Sequence, residues 1–491
     1  MRGHGPRAWR VIALASALVL APGAVAAPPS AAVPGRVIVV DDDRRQCAHA
    51  DFTILQEALA EATDGDRVRV CAGLYREALT IDASVTVQGE VGAVASVACL
   101  DPATSAVGDL DATRFAVVRP PEGPQADGAL VRIAADDVEV AGLVVEGRID
   151  DVAEVPVPGA PLYDAAVSVS DAYSGIRLRH NLIRLNTLGV ELGASDSRVD
   201  HNCFRDNGWV LANQRYVLER ARIHDNTTYR TGVLTWEIGW AYRQASTVMV
   251  DHNVSHDPGF AVAYVVFAED VVVASNEIVS TGARGVSLQS SSRVSVVDND
   301  VTPSATGIFV GPGGEDVDIT GNRVIAATGT QGGAAGITVG SPGAATTTAG
   351  VVIADNVVSG MRSGLGRGIL LGLNAQPAGA VLRGNVVREN LDGIVLAPGN
   401  HRSTIVGNSA LGDTTLAPSG NGFRVLVGAR ENVFTANLAL GNATDARDEG
   451  LLAEGTTPTS NQWIRTTCDV DVPAGLICVP PVTGADGSAG P

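Results

Sequence analysis

An asparagine recurs along most of this chain at intervals of 21 to 34 residues, and this repeat constrains the fold more than any other feature of the sequence. Most of these asparagines lie in one frame: a short strand-like run, the asparagine, two apolar residues and a Gly-led strand, as in "LRHNLIRLNTLGVEL" and "VLRGNVVRENLDGIVL". A β-rich repeat slightly longer than twenty residues is typical of stacked coils. The eleven asparagines are Asn181, Asn202, Asn226, Asn253, Asn276, Asn299, Asn322, Asn356, Asn385, Asn408 and Asn437.

The chemistry of the asparagine side chain explains why it would recur at one turn of every coil. A carboxamide carries two donor hydrogens and an acceptor oxygen, so it can bond to an identical amide above it and another below it. Such bonds satisfy polar groups that would otherwise be buried without partners. The repeat therefore predicts an amide ladder inside a solenoid.

The bulk composition fits one long solenoid better than several globular domains. Helix signals are scarce, aromatic residues make up only 4% of the chain, and its 56 glycines suit many tight corners. We expect a signal peptide at residues 1–27, a flexible mature N-terminus at 28–36 and the solenoid at 37–445. Residues 446–480 are then a C-terminal cap and 481–491 a disordered tail.

The beginning of the chain has the three parts of a secretory signal. Three arginines precede the apolar run Val11–Leu20, and Ala24-Val25-Ala26 forms a small-residue cleavage site. The apolar run is too short to span a bilayer. The sequence therefore predicts a secreted protein, extracellular or periplasmic, without membrane insertion.

The charge of the chain argues against two classes of partner. The formal net charge is −19, and removal of the three arginines of the signal takes it to −22. A surface this acidic repels nucleic acid and anionic membranes. We expect a monomer whose partner is an extracellular polysaccharide.

The six cysteines suggest disulfides, because their number is even and the protein is expected to be exported. Proximity in sequence favours Cys47–Cys71 and Cys468–Cys478. Cys99 and Cys203 remain as a third pair by subtraction, which is the weakest of the three assignments. A zinc site is a poor alternative because the chain has no Cys-x-x-Cys pair.

The segment "FTILQEALAEAT" is the one clear amphipathic helix of the sequence, and Asp51 or Thr53 could cap its start. The stretch "DFTILQEALAEATDGDRVRVCAGLYREALTIDASVTVQG" resembles the opening unit of right-handed parallel β-helix proteins of the pectin-lyase-like superfamily. The resemblance implies an all-β fold, a right-handed parallel β-helix (a single-stranded solenoid) with a short N-terminal capping helix. The matching residues are Phe52, Thr53, Gln56, Ala58, Gly65, Asp66, Gly73, Tyr75, Glu77 and Gly89.

The resemblance implies a fold but not an activity. The later catalytic motifs of pectin methylesterases are missing, as are the polygalacturonase signatures Asn-Thr-Asp and Gly-His-Gly and the pectate lyase signature Trp-x-Asp-His. The nearest group contains lyases, epimerases, hydrolases and proteins without known chemistry. A function has to be argued from a site instead.

One region concentrates residues that suit sugar recognition. Between Cys203 and His256 lie three of the five tryptophans, three of the seven tyrosines, and six arginines against five acids. Aromatic rings stack on the apolar faces of sugars, and guanidinium groups pair with carboxylates or sulfates. The alternative is that an enlarged coil needs these aromatics to pack its own loops. The substrate-binding candidates are Glu191, Trp209, Trp236, Trp240 and Tyr264.

The alternation of side chains along each strand predicts which residues face a groove. In the frame of "GVEL", the middle residue points outward, which exposes Glu191, Leu234, Ala263 and Ser287 on successive coils. Trp236 is then expected to extend outward beyond Leu234 and overhang the groove.

The candidate catalytic residues follow from two reaction types. Elimination next to a uronate needs a base and a cation, whereas hydrolysis needs two carboxylates on either side of the bond that is broken. For hydrolysis, the candidate carboxylates nearest to the aromatic-rich region are Glu191, Asp225, Glu237 and Asp251. The full set of candidate catalytic residues is His224, Tyr229, Arg230, Glu237, Tyr242, Arg243, Asp251 and His252.

Two metal hypotheses remain open in the sequence. His180, His201, Asp225 and His252 each precede a ladder asparagine, so stacking would align them, either as metal ligands or as a polar stack facing solvent. No cofactor is certain. Ca²⁺ could bind at two acidic runs, although exposed acids at strand ends explain these equally well. The runs are Asp41–Asp43 and Asp136–Asp137.

The sequence thus predicts a secreted β-helix that recognises an extracellular, anionic polysaccharide. Cleavage would be lyase-like or hydrolase-like. The competing hypothesis is a non-catalytic exported or surface β-helix used for carbohydrate binding, adhesion or structure.

Overall fold

Three parallel sheets wind around an apolar interior in the computed structural model of the protein. The chain passes repeatedly from sheet A to sheet B, then to sheet C and back to sheet A. The structure describes residues 35–92, 94, 99, 110, 112–122, 128–147, 165–240, 244–279, 284–326, 335–340, 348–362, 365–372, 379–412, 420–451 and 461–480. The predicted signal peptide, residues 28–34 and the predicted tail lie outside these residues.

Sheet A contains seventeen strands within the described residues, and its strands pair in parallel with those of the preceding and following coils. They are β1 Val37–Val40, β2 Arg67–Val70, β5 Thr86–Gln88, β8 Glu139–Ala141, β11 Arg177–Arg179, β14 Arg198–Asp200, β17 Leu218–Glu219, β18 Arg222–His224, β21 Ala245–Asp251, β24 Ala268–Ala274, β27 Ser292–Val297, β30 Glu315–Thr320, β33 Val352–Ala354, β36 Val381–Arg383, β39 Thr404–Val406, β42 Val433–Thr435 and β45 Gln462–Ile464.

In the part of the chain that the structure describes, sheet B contains sixteen strands with the same parallel pairing. They are β3 Gly73–Arg76, β6 Ala116–Arg119, β9 Val144–Glu146, β12 Leu182–Arg184, β15 Cys203–Arg205, β19 Thr227–Thr231, β22 Val254–Pro258, β25 Glu277–Val279, β28 Asp300–Thr302, β31 Arg323–Ile325, β34 Val357–Ser359, β37 Val386–Arg388, β40 Ser409–Leu411, β43 Leu438–Leu440, β46 Thr466–Thr467 and β48 Cys478–Val479.

Sheet C contains fifteen strands among the residues described, again parallel. They are β4 Leu79–Ile81, β7 Val131–Ile133, β10 Ala165–Val169, β13 Leu188–Leu192, β16 Trp209–Ala212, β20 Leu234–Ile238, β23 Ala261–Val266, β26 Arg284–Gln289, β29 Thr306–Val310, β32 Ala335–Val339, β35 Arg367–Leu371, β38 Asp392–Leu396, β41 Asn421–Val425, β44 Thr444–Asp448 and β47 Asp471–Val472. The strands β45 to β48 still pair within the three sheets, so the solenoid continues into the segment predicted as a C-terminal cap.

The predicted amide ladder is confirmed over its whole length. Each of the first ten asparagines donates from Nδ2 to Oδ1 of the next, at 2.8 to 3.2 Å. The ladder lies at the turn between sheets A and B, and its members are at most 4% exposed. Since each oxygen also accepts the main-chain N–H of the neighbouring asparagine, as in Asn253 to Asn276 at 3.0 Å, every turn is tied to the next.

The capping helix is also confirmed, with one difference at its start. Helix α1, Leu55–Glu61, buries Leu55, Ala58 and Leu59 against β1, β2 and β4. The N-cap residue is Ile54, whose side chain makes no capping hydrogen bond. Neither Asp51 nor Thr53 caps the helix, and the carboxylate of Asp51 accepts the N–H of Val39 instead. The carboxylate of Glu77 accepts the N–H groups of Leu55 and Gln56 instead, at 2.9 and 2.8 Å. An acid from the connection between β3 and β4 thus satisfies two N–H groups of the first turn.

The three disulfides are Cys47–Cys71, Cys99–Cys203 and Cys468–Cys478, as the sequence predicts. The second links residues 104 positions apart and holds Cys99 against the outer face of sheet B. In the part of the chain that the structure describes, no helix has the length and apolar character to cross a membrane.

Candidate functional site

The outer face of sheet C carries two rows of side chains that follow from the strand register. We call the first the acidic row, since the residues aligned on consecutive strands are Glu191, Ala212, Glu237, Tyr264 and Ser287. The second, which we call the aromatic row, contains Leu188, Trp209, Leu234, Ala261 and Arg284. Trp209 and Leu234 pack in a cluster separate from the interior core, which places this row outside the solenoid.

A cavity of about 350 Å³ lies between the two rows. This volume is within the range of sites that bind small molecules or single segments of a polymer, and its wall is mostly aromatic and apolar. The lining residues are Trp209, Gln214, Val233, Leu234, Glu237, Trp240, Phe260 and Tyr264. Four of these were predicted as site residues from the sequence: Trp209, Glu237, Trp240 and Tyr264.

Glu237 is the most unusual residue of this wall. None of its surface is exposed to bulk solvent, and burial raises the pKa of its carboxyl to about 7, although a hydrogen bond from Gln214 lowers it somewhat. Gln214 Nε2 donates to Oε2 at 2.8 Å. The other oxygen, Oε1, is buried without a hydrogen-bond partner among the described residues. Near neutral pH a large fraction of Glu237 is therefore a neutral acid, and one of its oxygens has no hydrogen-bond partner among the described residues.

Glu191 occupies the same row two strands before Glu237, and its environment is the opposite. It is 1% exposed, yet Arg215 Nε donates to its Oε1 at 2.5 Å and Arg215 Nη2 bonds to Oε2. Ser168 Oγ donates to Oε2 at 3.1 Å. Glu191 thus accepts hydrogen bonds from a guanidinium and a hydroxyl, whereas Glu237 has a single amide partner. Two strand spacings of ~4.8 Å place the two glutamates about 9.6 Å apart along the row.

Arg284 continues the aromatic row one strand beyond the cavity. Its Cζ lies 3.9 Å from the ring centre of Phe309 and 5.4 Å from that of Phe260, and Nη1 donates to Ser287 Oγ at 3.2 Å. No carboxylate among the described residues pairs with it, and burial lowers the pKa of its guanidinium. Neighbouring Tyr264 has its pKa raised by burial and by Glu237, against the opposing effect of Arg284. A partly desolvated guanidinium between two rings is suited to an anionic group.

Trp236 does not line the groove, so the prediction that it overhangs the groove is wrong. It is 1% exposed and belongs to the interior core, where its ring meets Phe204 edge-on at 5.8 Å. The sequence frame was misplaced by three residues in this coil, because Glu237, not Leu234, aligns with Glu191. In the register, Thr235 and not Gly232 corresponds to Gly189 of the earlier coil, and both Thr235 and Gly189 are buried. Ala263 likewise points into the core.

The other candidate catalytic residues do not join Glu237, since one coil distributes its residues over three sheets. His224 and Asp251 end strands of sheet A, and His252 follows in the turn. Tyr229 and Arg230 belong to β19 of sheet B, where Tyr229 stacks on His256 at 4.8 Å and Arg230 bonds to Asp206 at 2.6 and 2.7 Å. Tyr242 and Arg243 lie outside the described residues.

The line of residues before the ladder asparagines has a backbone explanation. His180, His201, Asp225 and His252 all have φ of 54° or 55°, and the equivalent residues of later coils also have positive φ. Histidine and aspartate tolerate this left-handed conformation better than most side chains. The rings that align are those of His180, His201 and His224, whereas Asp225 turns to His224 Nδ1 at 2.6 Å and His252 Nδ1 lies 2.8 Å from Asp251.

The expected Ca²⁺ positions are engaged in loop contacts. Asp41, Asp42 and Asp43 have carboxylate oxygens within 4.8 Å of one another, and they form the only such group of three or more His, Cys, Asp or Glu in the described part of the chain. Asp42 accepts Leu74 N–H at 3.0 Å, and Asp41 accepts the N–H of Cys47. Asp136 accepts both the N–H and Oγ of Ser174, at 2.7 and 3.0 Å.

Comparison with known families agrees with this architecture. The family model described as "Right handed beta helix region" matches residues 163–324 and 264–410, which together cover 248 of the 491 residues. The chain belongs to the right handed beta helix family. No curated protein matches it.

Several solved structures are similar to this chain at low identity. They include DFA-IIIase from Arthrobacter chlorophenolicus A6, crystallised without its lid and with GF2, at 12% identity over 88% of this chain and 99% of the other, with a TM-score of 0.43. The surface protein and adhesin PfbA of Streptococcus pneumoniae shares 11% identity over 77% and 95%, with a TM-score of 0.45. The GH87 α-1,3-glucanase of Streptomyces thermodiastaticus shares 14% over 77% and 64%, with a TM-score of 0.41. At these values the likeness concerns the fold alone.

Sequence reasoning missed several residues of this β-helix. Gln214, Val233 and Phe260 line the cavity, and Arg284 lies beside it. Arg284 opens the strand "RGVSLQ" directly before its glycine, the position that Leu188 holds in "LGVEL", so register alone could have found it. A second, shorter set of amides was also missed: Asn186 donates to Asn207 at 3.2 Å at the turn between sheets B and C.

Proposed function

We propose that this protein hydrolyses a glycosidic bond of an extracellular polysaccharide on sheet C, with Glu237 as the general acid and Glu191 as the general base. The observation that supports this most strongly is a buried carboxyl with a pKa of about 7 and a free oxygen in the wall of an aromatic cavity. An acid of that pKa is suited to protonating a leaving oxygen near neutral pH.

The two glutamates divide the reaction as their environments dictate. Glu237 gives its proton to the glycosidic oxygen as the bond to the anomeric carbon breaks. Glu191 takes a proton from the water that attacks that carbon from the opposite face. Inverting glycosidases keep their carboxyls about 6.5–9.5 Å apart, and the strand spacing of about 9.6 Å lies just above that range. The shorter separation of retaining enzymes, about 5–5.5 Å, would correspond to neighbouring strands.

The aromatic wall supplies the binding part of this proposal. Trp240, Phe260 and Tyr264 present ring surface on which the apolar face of a sugar can stack, whereas Trp209 is 2% exposed and forms a buried part of the wall. Arg284 lies at the end of this surface with no carboxylate partner among the described residues. We therefore expect the preferred polymer to carry carboxylates or sulfates.

Arg284 also favours a second reaction, β-elimination at a uronate. A cation next to the sugar carboxylate would stabilise the enolate-like charge that forms when the neighbouring proton is removed. The deprotonated form of Glu237, populated above pH 7, would be the base. Tyr264 is less suited to that role because its pKa is raised.

A screen of the mature protein on neutral and uronate-containing polymers separates these functions. Reducing ends released without new ultraviolet absorbance indicate hydrolysis. Reducing ends accompanied by the absorbance of unsaturated products indicate elimination. Retention on a polymer column without either product would reject catalysis and leave a binding protein. Product configuration, followed by NMR at early times, then tests inversion.

A further inference from the structure

The outer edge of sheet A carries a stack of imidazoles that has no part in the proposed chemistry on sheet C. The ring centres of His180 and His201 are 5.0 Å apart, and those of His201 and His224 are 6.2 Å apart. These residues follow or end the consecutive strands β11, β14 and β18. The strand register places His180 and His201 side by side, whereas His224 pairs with Asp200 and reaches the line from a position one residue earlier.

Carboxylates orient two of these rings. His201 Nδ1 lies 2.9 Å from Asp200 Oδ2, and His224 Nδ1 lies 2.6 Å from Asp225 Oδ2. A carboxylate accepts a hydrogen bond at Nδ1, so each neutral ring carries its proton there and keeps a lone pair at Nε2. A carboxylate behind a histidine, with Nε2 available, is the arrangement that usually supports a metal-binding imidazole.

The spacing of the first pair suits a shared ion. With metal–nitrogen bonds of about 2.0–2.1 Å and tetrahedral angles, two imidazoles on one ion have ring centres about 5 Å apart. The centres of His180 and His201 are separated by 5.0 Å.

We propose that His180 and His201 chelate a divalent transition-metal ion of the Zn²⁺, Cu²⁺ or Ni²⁺ class, with solvent completing the coordination. The ligand type decides the class, because imidazole suits these ions whereas Ca²⁺ and Mg²⁺ prefer oxygen. His224 is the third imidazole of the line and lies farther from His201, so it can assist only after a side-chain rotation.

The positive charge of Arg179 opposes binding of a metal cation at His180, so a substitution of Arg179 provides a second test of the site. Its Nη2 lies 3.5 Å from His180 Nε2, and its Nη1 is 4.0 Å from Glu139. The guanidinium has to move aside before Nε2 can bind a metal. Removing the Arg179 guanidinium is therefore expected to strengthen metal binding at this site, whereas removing the imidazole of His180 or His201 is expected to weaken it.

Titration calorimetry of the mature, metal-stripped protein with ZnCl₂, CuCl₂ and NiCl₂ tests the site, with CaCl₂ as the comparison ion. We expect one saturable site for the transition metals that His180→Asn/His201→Asn weakens at least tenfold. Asparagine tolerates the left-handed backbone of both positions, so the turns are retained. Arg179→Gln is expected to tighten binding several-fold.

His49→Asn/His401→Asn is the matched control, since it removes two imidazoles that lie outside the line and should leave binding unchanged. Equal loss in both double variants would show binding by scattered histidines and overturn the proposal. Unchanged affinity in the first double variant, or weaker binding by Arg179→Gln, would also overturn it. The thermal unfolding transition of each variant is compared with that of the wild type to verify that the fold is retained.

Discussion

Sheets A and C of the same coils use the same residue types in opposite ways. On sheet C, Glu237 is fully buried beside aromatic rings and has one polar partner, so its pKa rises to about 7. On sheet A, Asp251 is equally buried, yet Arg222 bonds to both of its oxygens and His252 to one, and these contacts lower its pKa against the effect of burial. The partners of a buried carboxyl, and not its depth alone, decide whether it is an acid or an anion at neutral pH.

The tryptophans of one coil show a similar difference. Trp236 points inward and fills the core, whereas Trp240 lies four residues later and lines the cavity. Their spacing in sequence gives no warning of this, because the chain turns from sheet C towards sheet A between them. The position of an aromatic residue in the coil, and not its type, therefore decides whether its ring packs in the core or lines the cavity on sheet C.

The largest expected effect is on catalysis at Glu237. Glu237→Gln keeps the shape and the bond to Gln214 but removes the proton donor, so turnover should fall by about 10²–10⁴. The fold should be retained, as judged by circular dichroism. Glu277→Gln, an exposed carboxyl on sheet B, is the control and should retain full activity. Wild-type turnover in Glu237→Gln would remove this residue from the mechanism.

The tryptophan pair predicts a stability effect of about 3–5 kcal/mol for Trp236→Ala, the usual cost of truncating a buried tryptophan. Trp240→Ala should change stability little and weaken retention on a polymer column. Denaturant unfolding and affinity electrophoresis of the two variants measure the two properties separately. The assignment of rows would be wrong if Trp236→Ala stayed as stable as the wild type while losing polymer binding.

The pH dependence of stability sharpens the contrast between Glu237 and Asp251. The folded pKa of Glu237, about 7, lies above the ordinary value of 4.5, so the folded state holds a proton that the unfolded state has lost. The contribution of Glu237 is therefore fully present below pH 4.5 and is lost as the pH rises through 7. At about 1.4 kcal/mol for each pH unit, wild type should lose about 3 kcal/mol relative to Glu237→Gln over that interval. Urea unfolding of both proteins from pH 4.5 to 8 measures this difference.

Asp251 has the opposite sign, which provides the comparison. Its folded pKa is lowered, so its contribution is present above its ordinary value of 3.8 and is lost as the pH falls through the folded pKa. Asp251→Asn should therefore reduce the stability of the protein at neutral pH and lose that effect in acid. A difference between wild type and Glu237→Gln that stays constant with pH would mean that Glu237 is ionised throughout.

Most of the architecture could be predicted because it follows from local periodicity. The asparagine interval identifies the A–B turn of each coil, and one ladder of amides then fixes the stacking. The candidate site was harder to predict because local periodicity assigns a residue to a row only where the coil keeps the regular frame. A coil with a regular "GVEL" frame, such as the one with Glu191, is assigned correctly, whereas "TWEIG" has threonine where glycine marks the strand, and the outward residue was assigned to Leu234 instead of Glu237. The contacts of Gln214 and Arg284 connect different coils, and no single-coil pattern contains them.

The smallest expected effect is on an exposed ion pair of sheet A. Arg293 donates to both oxygens of Asp270, at 2.7 and 3.1 Å, and the two side chains are 48% and 49% exposed. Water and salt screen such a pair, so Arg293→Gln should change the free energy of unfolding by less than about 1 kcal/mol, and by still less in high salt. Denaturant unfolding at two ionic strengths measures it. A loss as large as that of Trp236→Ala would mean that charges on sheet A hold the coils together, whereas a negligible loss leaves the amide ladder and the apolar core in that role. The charged groups of this face would then be free to serve binding, since the stability of the coils would not depend on them.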